Sequence, residues 1–250
     1  MQKIIPSLVL LMLGAVLASP AIGKIVTHSE LVERLDNNYS GINSYLLVVT
    51  FDNPNISLRI WQKSENWRQE WVMDSGQGQE VVAVAVGQGD TVLLALGNDL
   101  ASPPVTRILF ENSTWWSKAG LDFGVQSYHF FHGRPALALG MKMAEDPEPH
   151  LWIDNEHLVP LRMVFSEQGA KSDLGWLEYR NIGNYNLPHK LIIANRNAEI
   201  DCYLEWKGIN TQYDDLLFSR DELERSFFGA DLNPPDLVMD YYIGQAGLYK

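Results

Sequence analysis

From Tyr45 to Trp206 the chain runs through short segments in which apolar and polar residues alternate. Successive side chains of a strand point to opposite faces, so this pattern predicts strands with one buried face. Tyr45 to Phe51 is rich in β-branched and aromatic residues, and Asn53-Pro54-Asn55 makes a turn. Ile56 to Trp61 then sets Ile56, Leu58 and Ile60 against Ser57, Arg59 and Trp61. In the third run Trp67, Gln69 and Trp71 oppose Arg68 and Glu70. Gln79 to Val86 and Thr91 to Leu96 flank Gly87-Gln88-Gly89-Asp90, a hairpin signal. Consecutive hairpins predict an antiparallel meander, not βαβ units. Further strands are expected at Tyr128 to Phe131, Ala136 to Met141, Leu151 to Ile153 and Leu158 to Phe165. Trp176 to Ile182, Lys190 to Ala194 and Glu199 to Trp206 complete the set.

Helical signals are few. Between Thr27 and Tyr39, Leu31, Val32, Leu35 and Tyr39 recur at helical spacing, with Ser29 as the cap and Gly41 as the stop. Pro103-Pro104 breaks the chain, and Thr114 to Phe123 reads as a short helix or packed loop carrying Trp115 and Trp116. Ser219 with Glu222 three residues on forms a capping box for a last helix through Phe227, ended by Gly229. The tail to Lys250 shows no clear period. Lacking any linker rich in Gly, Ser or charge, residues 24–250 read as a single domain with a C-terminal helix and tail from about 219.

The start of the chain changes the compartment. Lys3, the apolar run Ile4 to Ala18 and the small residues through Gly23 read as a cleaved signal peptide over residues 1–23. At about 15 residues, interrupted by Pro6, the run is shorter than the ~20 a spanning helix needs. No later segment is long and apolar enough, so no transmembrane span is expected in the mature chain. The formal charge of −12 and the absence of a basic stripe argue against nucleic acid as a partner. Cys202 is the single cysteine, which excludes an internal disulfide; it shares a strand face with Ile200 and Leu204 and reads as a packing thiol.

Catalytic signals are missing. There is no Gly-x-Ser-x-Gly, no phosphate loop and no His-Glu-x-x-His, so no catalytic residue, no cofactor and no enzyme activity is expected. His129 and His132 would diverge on a strand, and Glu145, Asp146, Glu148 and His150 read as solvated turn residues rather than metal ligands.

Four places carry a family resemblance. Leu31-Val32-Glu33-Arg34-Leu35 runs into Tyr39-Ser40-Gly41-Ile42, and Trp67-Arg68 lies in the third strand. Leu151-Trp152-Ile153-Asp154 precedes Leu158-Val159-Pro160-Leu161-Arg162, and Trp176-Leu177-Glu178-Tyr179 leads to Leu187-Pro188-His189-Lys190. Together, over about residues 27–210, these resemble the periplasmic outer-membrane lipoprotein carrier (LolA-like) family. The chain departs from that family at Lys63-Ser64-Glu65-Asn66, where a basic residue and a proline are usual, and in the tail from Ser219.

The resemblance implies a mainly β (α+β) fold, a single antiparallel sheet curled into an incomplete β-barrel with covering helices. It also implies a periplasmic carrier or chaperone that shelters lipid or lipoprotein acyl chains on an apolar face. Burial of each CH2 there stabilises a complex by about 0.8 kcal/mol. The lining expected from the alternation is Leu58, Ile60, Trp67, Trp71, Leu161, Met163, Phe165, Leu191, Ile193, Leu204 and Trp206, with Arg68 on the opposite face as a head-group rim residue. Either the Thr27–Tyr39 helix or the Trp115–Phe123 segment would act as the gate. Alternation does not separate a filled core from a ligand-lined hollow. The alternative on the same scaffold is an envelope sensor or protein-interaction domain, without lipid transport.

Overall fold

A computed structural model describes residues 27–141, 149–167, 170–194, 199–227 and 236–243. The expected signal peptide, Glu145, Asp146, Glu148 and Gly229 lie outside the described residues.

Five strands form the first meander: β1 (Ser44–Phe51), β2 (Ile56–Lys63), β3 (Asn66–Asp74), β4 (Gln79–Gln88) and β5 (Thr91–Leu96). Five more form the second: β6 (Gln126–Phe131), β7 (Arg134–Leu139), β8 (His150–Asp154), β9 (Pro160–Glu167) and β10 (Ala170–Leu177). A small hairpin of β11 (Arg180–Ile182) and β12 (Tyr185–Leu187) stands apart. Then β13 (Lys190–Ala194) pairs with β10, and β14 (Glu199–Ile209) pairs with both β13 and β1. The two meanders thereby join into one twelve-stranded antiparallel sheet, ordered β5-β4-β3-β2-β1-β14-β13-β10-β9-β8-β7-β6. β5 and β6 remain its two edges, so the barrel is open.

The helices are short. α1 (His28–Asn38) starts from Thr27 rather than Ser29: the extended Thr27 accepts the Glu30 N–H at 3.3 Å, and Ser29 sits inside the first turn. A 3-10 turn (Val105–Phe110) leads to α2 (Ser113–Lys118), capped by Asn112, whose side chain accepts the Trp115 N–H at 3.0 Å. α3 (Arg220–Ser226) is capped by Ser219 as the sequence predicts. α4 (Asp236–Ile243) lies in the tail where no element was expected.

One face of the sheet carries the main core. Ile56, Leu58 and Ile60 of β2 point into it, as do Ile200, Cys202, Leu204 and Trp206 of β14. This single cluster runs from Val82 and Ala83 of β4 to Leu137 and Leu139 of β7, each one strand in from an edge. Leu31 of α1, Val105 and Ile108 of the 3-10 turn, Trp116 of α2, and Val238, Tyr241 and Tyr242 of α4 complete it from above. We call this the inner face. Each large apolar side chain buried there contributes about 1.5–3 kcal/mol.

Among the described residues, the outer face is covered at its ends. Leu223 of α3 packs on Val84 and Val86, while Ala136, Ala138, Met141, Trp152 and Leu161 form a separate cluster beyond β7–β9.

Two strand expectations change. Leu161 does not share a face with Met163 and Phe165. A bulge pairs Ile153 with Pro160 but Trp152 with Arg162, and the extra residue turns Leu161 outward. The expected strand Trp176 to Ile182 is broken at Glu178, whose φ of +53° turns the chain into the β11–β12 hairpin.

Candidate functional site

Nine of the eleven expected lining residues meet in the inner-face cluster: Leu58, Ile60, Trp71, Met163, Phe165, Leu191, Ile193, Leu204 and Trp206. All nine are buried. Trp67 shares the Trp71 face but sits at the β4–β5 end, where its indole N–H donates to the Gly89 carbonyl at 3.0 Å. Its ring lies against Gly87, where any Cβ would overlap it. Leu161 lies in the outer cluster. Arg68 is on the outer face, donating to Glu70 at 2.8 Å and to the Leu217 carbonyl at 3.0 Å, and lines a cleft beside α3.

The inner face is roofed, and the roof's own side chains fill the trough. α1 and α2 are tied together, because the Asp36 carboxylate accepts the Ser113 N–H at 2.7 Å and its hydroxyl at 3.0 Å. Phe110 packs against Tyr39, Tyr45 and Trp206, with ring centroids 5.2–6.1 Å apart. Over β3, Tyr242 of α4 accepts the Trp71 indole N–H at 3.1 Å and donates to Gln69 Oε1 at 3.2 Å. Tyr241 meets Phe51 and Trp71 edge-on. Gln69 is fully buried on this face, with its amide N–H donating to the Ser102 carbonyl at 2.6 Å.

The apolar inner surface continues past the roof to the β6 edge. Tyr128 pairs with Leu137, an inner-face residue, and Phe130 shares the Tyr128 face. Both remain open to solvent, at 57% and 74% exposure. Cross-strand partners share a face, so these rings form the uncovered margin of the trough.

A second concavity is polar. A cleft of about 1150 Å³ opens between the C-terminal half of α1, the β8–β9 turn and the β11–β12 hairpin. Arg34, Asn38, Arg134, Asn155, Asn181, Asn184 and Asn186 line it, with Tyr39, Val159 and Tyr179 among the residues that reach it from the core side. Its walls are braced. Asn38 donates to the Leu158 carbonyl at 2.6 Å, Tyr39 to the Asn186 carbonyl at 2.9 Å and Tyr179 to the Pro160 carbonyl. Asp154 holds the turn by accepting the Glu156 and His157 N–H groups at 2.9 and 2.8 Å. These residues come from separate stretches of sequence with no shared motif, and sequence reading missed them. The only local cue is the run of asparagines in the β11–β12 hairpin.

Burial pushes the Tyr39, Tyr179 and Tyr242 hydroxyls and the Cys202 thiol up, which keeps all four neutral. His129 stacks on Trp152 at 5.1 Å and bonds Ser127 at 2.9 Å, while His132 sits in the turn at φ +47°. Among the described residues no group of three or more His, Cys, Asp or Glu could hold a metal ion, and no helix is long and apolar enough to cross a membrane.

No protein-family model and no curated protein matches the sequence. Among solved structures, the chain is similar to the LolA superfamily protein NE2245 from Nitrosomonas europaea, at 13% identity and TM-score 0.48 over 78% of this chain and 99% of that one. It is similar to a putative outer membrane lipoprotein-sorting protein domain from Vibrio parahaemolyticus at 12% identity and TM-score 0.46, over 79% of this chain and 97% of that one. A DUF1329 family protein from Desulfovibrio piger ATCC 29098 is similar at 12% identity and TM-score 0.43, over 78% and 97% of the two chains. The strand order gives the architecture expected from the sequence, a single open antiparallel sheet roofed by short helices.

Proposed function

We propose that the protein is a non-enzymatic carrier or chaperone of the periplasm that shelters lipid or lipoprotein acyl chains on the inner face of its open sheet. One observation supports this above the others. The inner face is largely apolar from β4 to β7, is roofed by short helices and the β11–β12 hairpin, and runs on uncovered to Tyr128 and Phe130. A roof of that kind moves without breaking any strand ladder. Tyr128 and Phe130 would make first contact with an incoming chain, and α1 with α2 would lift as the unit that Asp36 and Ser113 make of them.

A fluorescent fatty-acid displacement assay on the mature protein tests the reading. Saturable binding is expected, and its absence at every chain length would count against carriage. Phe130→Asp is expected to weaken probe binding about tenfold, the loss of about 1.4 kcal/mol of apolar contact. Because the ring is 74% exposed, the unfolding free energy should stay within about 0.5 kcal/mol of the wild type. Unchanged binding would remove the β6 margin from the site.

The polar cleft favours a second reading, a domain that captures a polar segment of an envelope protein. Neutral amides carry a donor and an acceptor each, and the braced walls need little reorganisation on binding. That reading expects a protein partner captured without lipid, and weakened capture by Asn186→Ala with fatty-acid binding intact.

A further inference from the structure

We propose that α4 is a built-in occupant of the acyl-chain seat, latched by Gln69, Tyr242 and Trp71, and that the ligand replacing it is a long apolar chain carrying a hydroxyl. The proposal rests on the carrier reading and names the ligand class for the same trough.

α4 has only eight residues, too short to hold its own helix in water, so its order comes from the wall it sits on. Among its described side chains Val238, Tyr241 and Tyr242 are buried; Tyr241 meets Phe51 and Trp71 by its ring, and Tyr242 meets Trp71 by its ring and its hydroxyl. This is how a ligand contacts a receptor. No strand ladder depends on it.

The polar part of the contact defines what could take its place. Beneath α4 the buried polar residue of the inner face is Gln69, between Trp67 and Trp71 on the same strand face. The Trp71 indole N–H can only donate, and it needs an acceptor. The Gln69 N–H group is engaged by the Ser102 carbonyl, which leaves Oε1 needing a donor. The Tyr242 hydroxyl meets both needs, accepting from Trp71 at 3.1 Å and donating to Gln69 at 3.2 Å. A bare hydrocarbon entering the seat would strand both groups, and an ester would satisfy only the indole. A hydroxyl satisfies both, accepting from Trp71 and donating to Gln69 through one oxygen as Tyr242 does. The rest of the seat, lined by Phe51 and Trp71, suits the alkyl chain.

The test uses the full mature chain, with 1-dodecanol and methyl undecanoate as probes below their solubility limits. Amide hydrogen exchange should show α4 losing protection at saturating 1-dodecanol while β1–β3 keep theirs. Saturable probe binding with α4 protection unchanged would overturn the proposal and leave the carrier reading standing. No binding by the wild type or by Tyr242→Phe would remove both. Tyr242→Phe keeps the buried ring but not the latch, so probe affinity should rise about tenfold as the open form gains population. In the wild type the alcohol should bind at least about fivefold more tightly than the ester, and Gln69→Leu should abolish that preference. Equal affinities in the wild type would overturn the ligand class.

Discussion

Replacing Trp71 with alanine is expected to lower the free energy of unfolding by about 4 kcal/mol, near the top of the range for deleting a core aromatic. The indole is 1% exposed and lies where the sheet wall meets α4. It stacks on Phe51 at 5.5 Å and meets Tyr241 and Tyr242 edge-on at 5.3 and 6.1 Å. Truncation removes the transfer energy of the ring, leaves a void between β3 and α4, and deprives the Tyr242 hydroxyl of its donor. Trp71→Phe retains much of the volume and should cost about half as much. Urea unfolding followed by far-UV circular dichroism checks both values. A loss below about 1 kcal/mol for the alanine variant would mean that α4 settles onto the sheet and fills the gap.

The strands were the legible part of this chain, because each buries one face and its apolar residues recur every second position. Ile56, Leu58 and Ile60 are the clearest case, alternately buried in β2 as the sequence predicts. What escaped the pattern depends on contacts between distant segments. Leu161 keeps the alternation of β9 in sequence, but the bulge opposite Ile153 and Trp152 inserts one residue and turns it outward. Arg68 reads as a strand charge, and nothing nearby in sequence announces the Leu217 carbonyl that holds it. Alternation also says which side chains face inward but not what they meet, so the filling of the trough by Ile108, Trp116 and Tyr241 was not readable.

α4 did leave a trace. Leu237, Val238, Tyr241 and Tyr242 fall on one helical face, with Pro235 before the first turn and Gly244 after the last. Two turns are too few for a period to stand out from a proline-containing tail. The polar cleft has a similar weakness as a signal. Asn38, Asn155 and Asn186 are ordinary loop residues until α1, the β8–β9 turn and the β11–β12 hairpin converge.

Arg107 is the other position where one substitution should be costly, and there the cost should depend on pH. The guanidinium is 8% exposed and pins the 3-10 turn to the β4–β5 hairpin. It donates to the Gly89 carbonyl, which also accepts from Trp67, and lies 3.1 Å from Glu65, 3.4 Å from Glu111 and 3.6 Å from Asp90. Glu65 and Asp90 are half-exposed or more and contribute little. Glu111, at 17% exposure, is the partner that matters. Burial raises its carboxyl to about 7 against the opposing pull of Arg107, with Asp90 and Glu65 adding to the rise. The folded state therefore binds a proton that the unfolded chain releases near pH 4.5. Stability from this group is complete below pH 4.5 and is lost as the pH climbs towards 7. Arg107→Met removes the one cation opposing that rise, so the folded carboxyl should titrate higher still. At pH 8 the variant should lose about 3 kcal/mol, combining the lost carbonyl bond with a buried acid that must stay protonated or ionise unpaired. At pH 5, where wild-type Glu111 is already mostly protonated, the loss should shrink to about 1 kcal/mol. Adding Glu111→Gln should erase the difference between the two pH values, leaving only the bond to Gly89. Urea unfolding of the four proteins at both pH values measures the coupling directly, and a penalty equal at pH 5 and pH 8 would show that Arg107 acts through the Gly89 carbonyl alone.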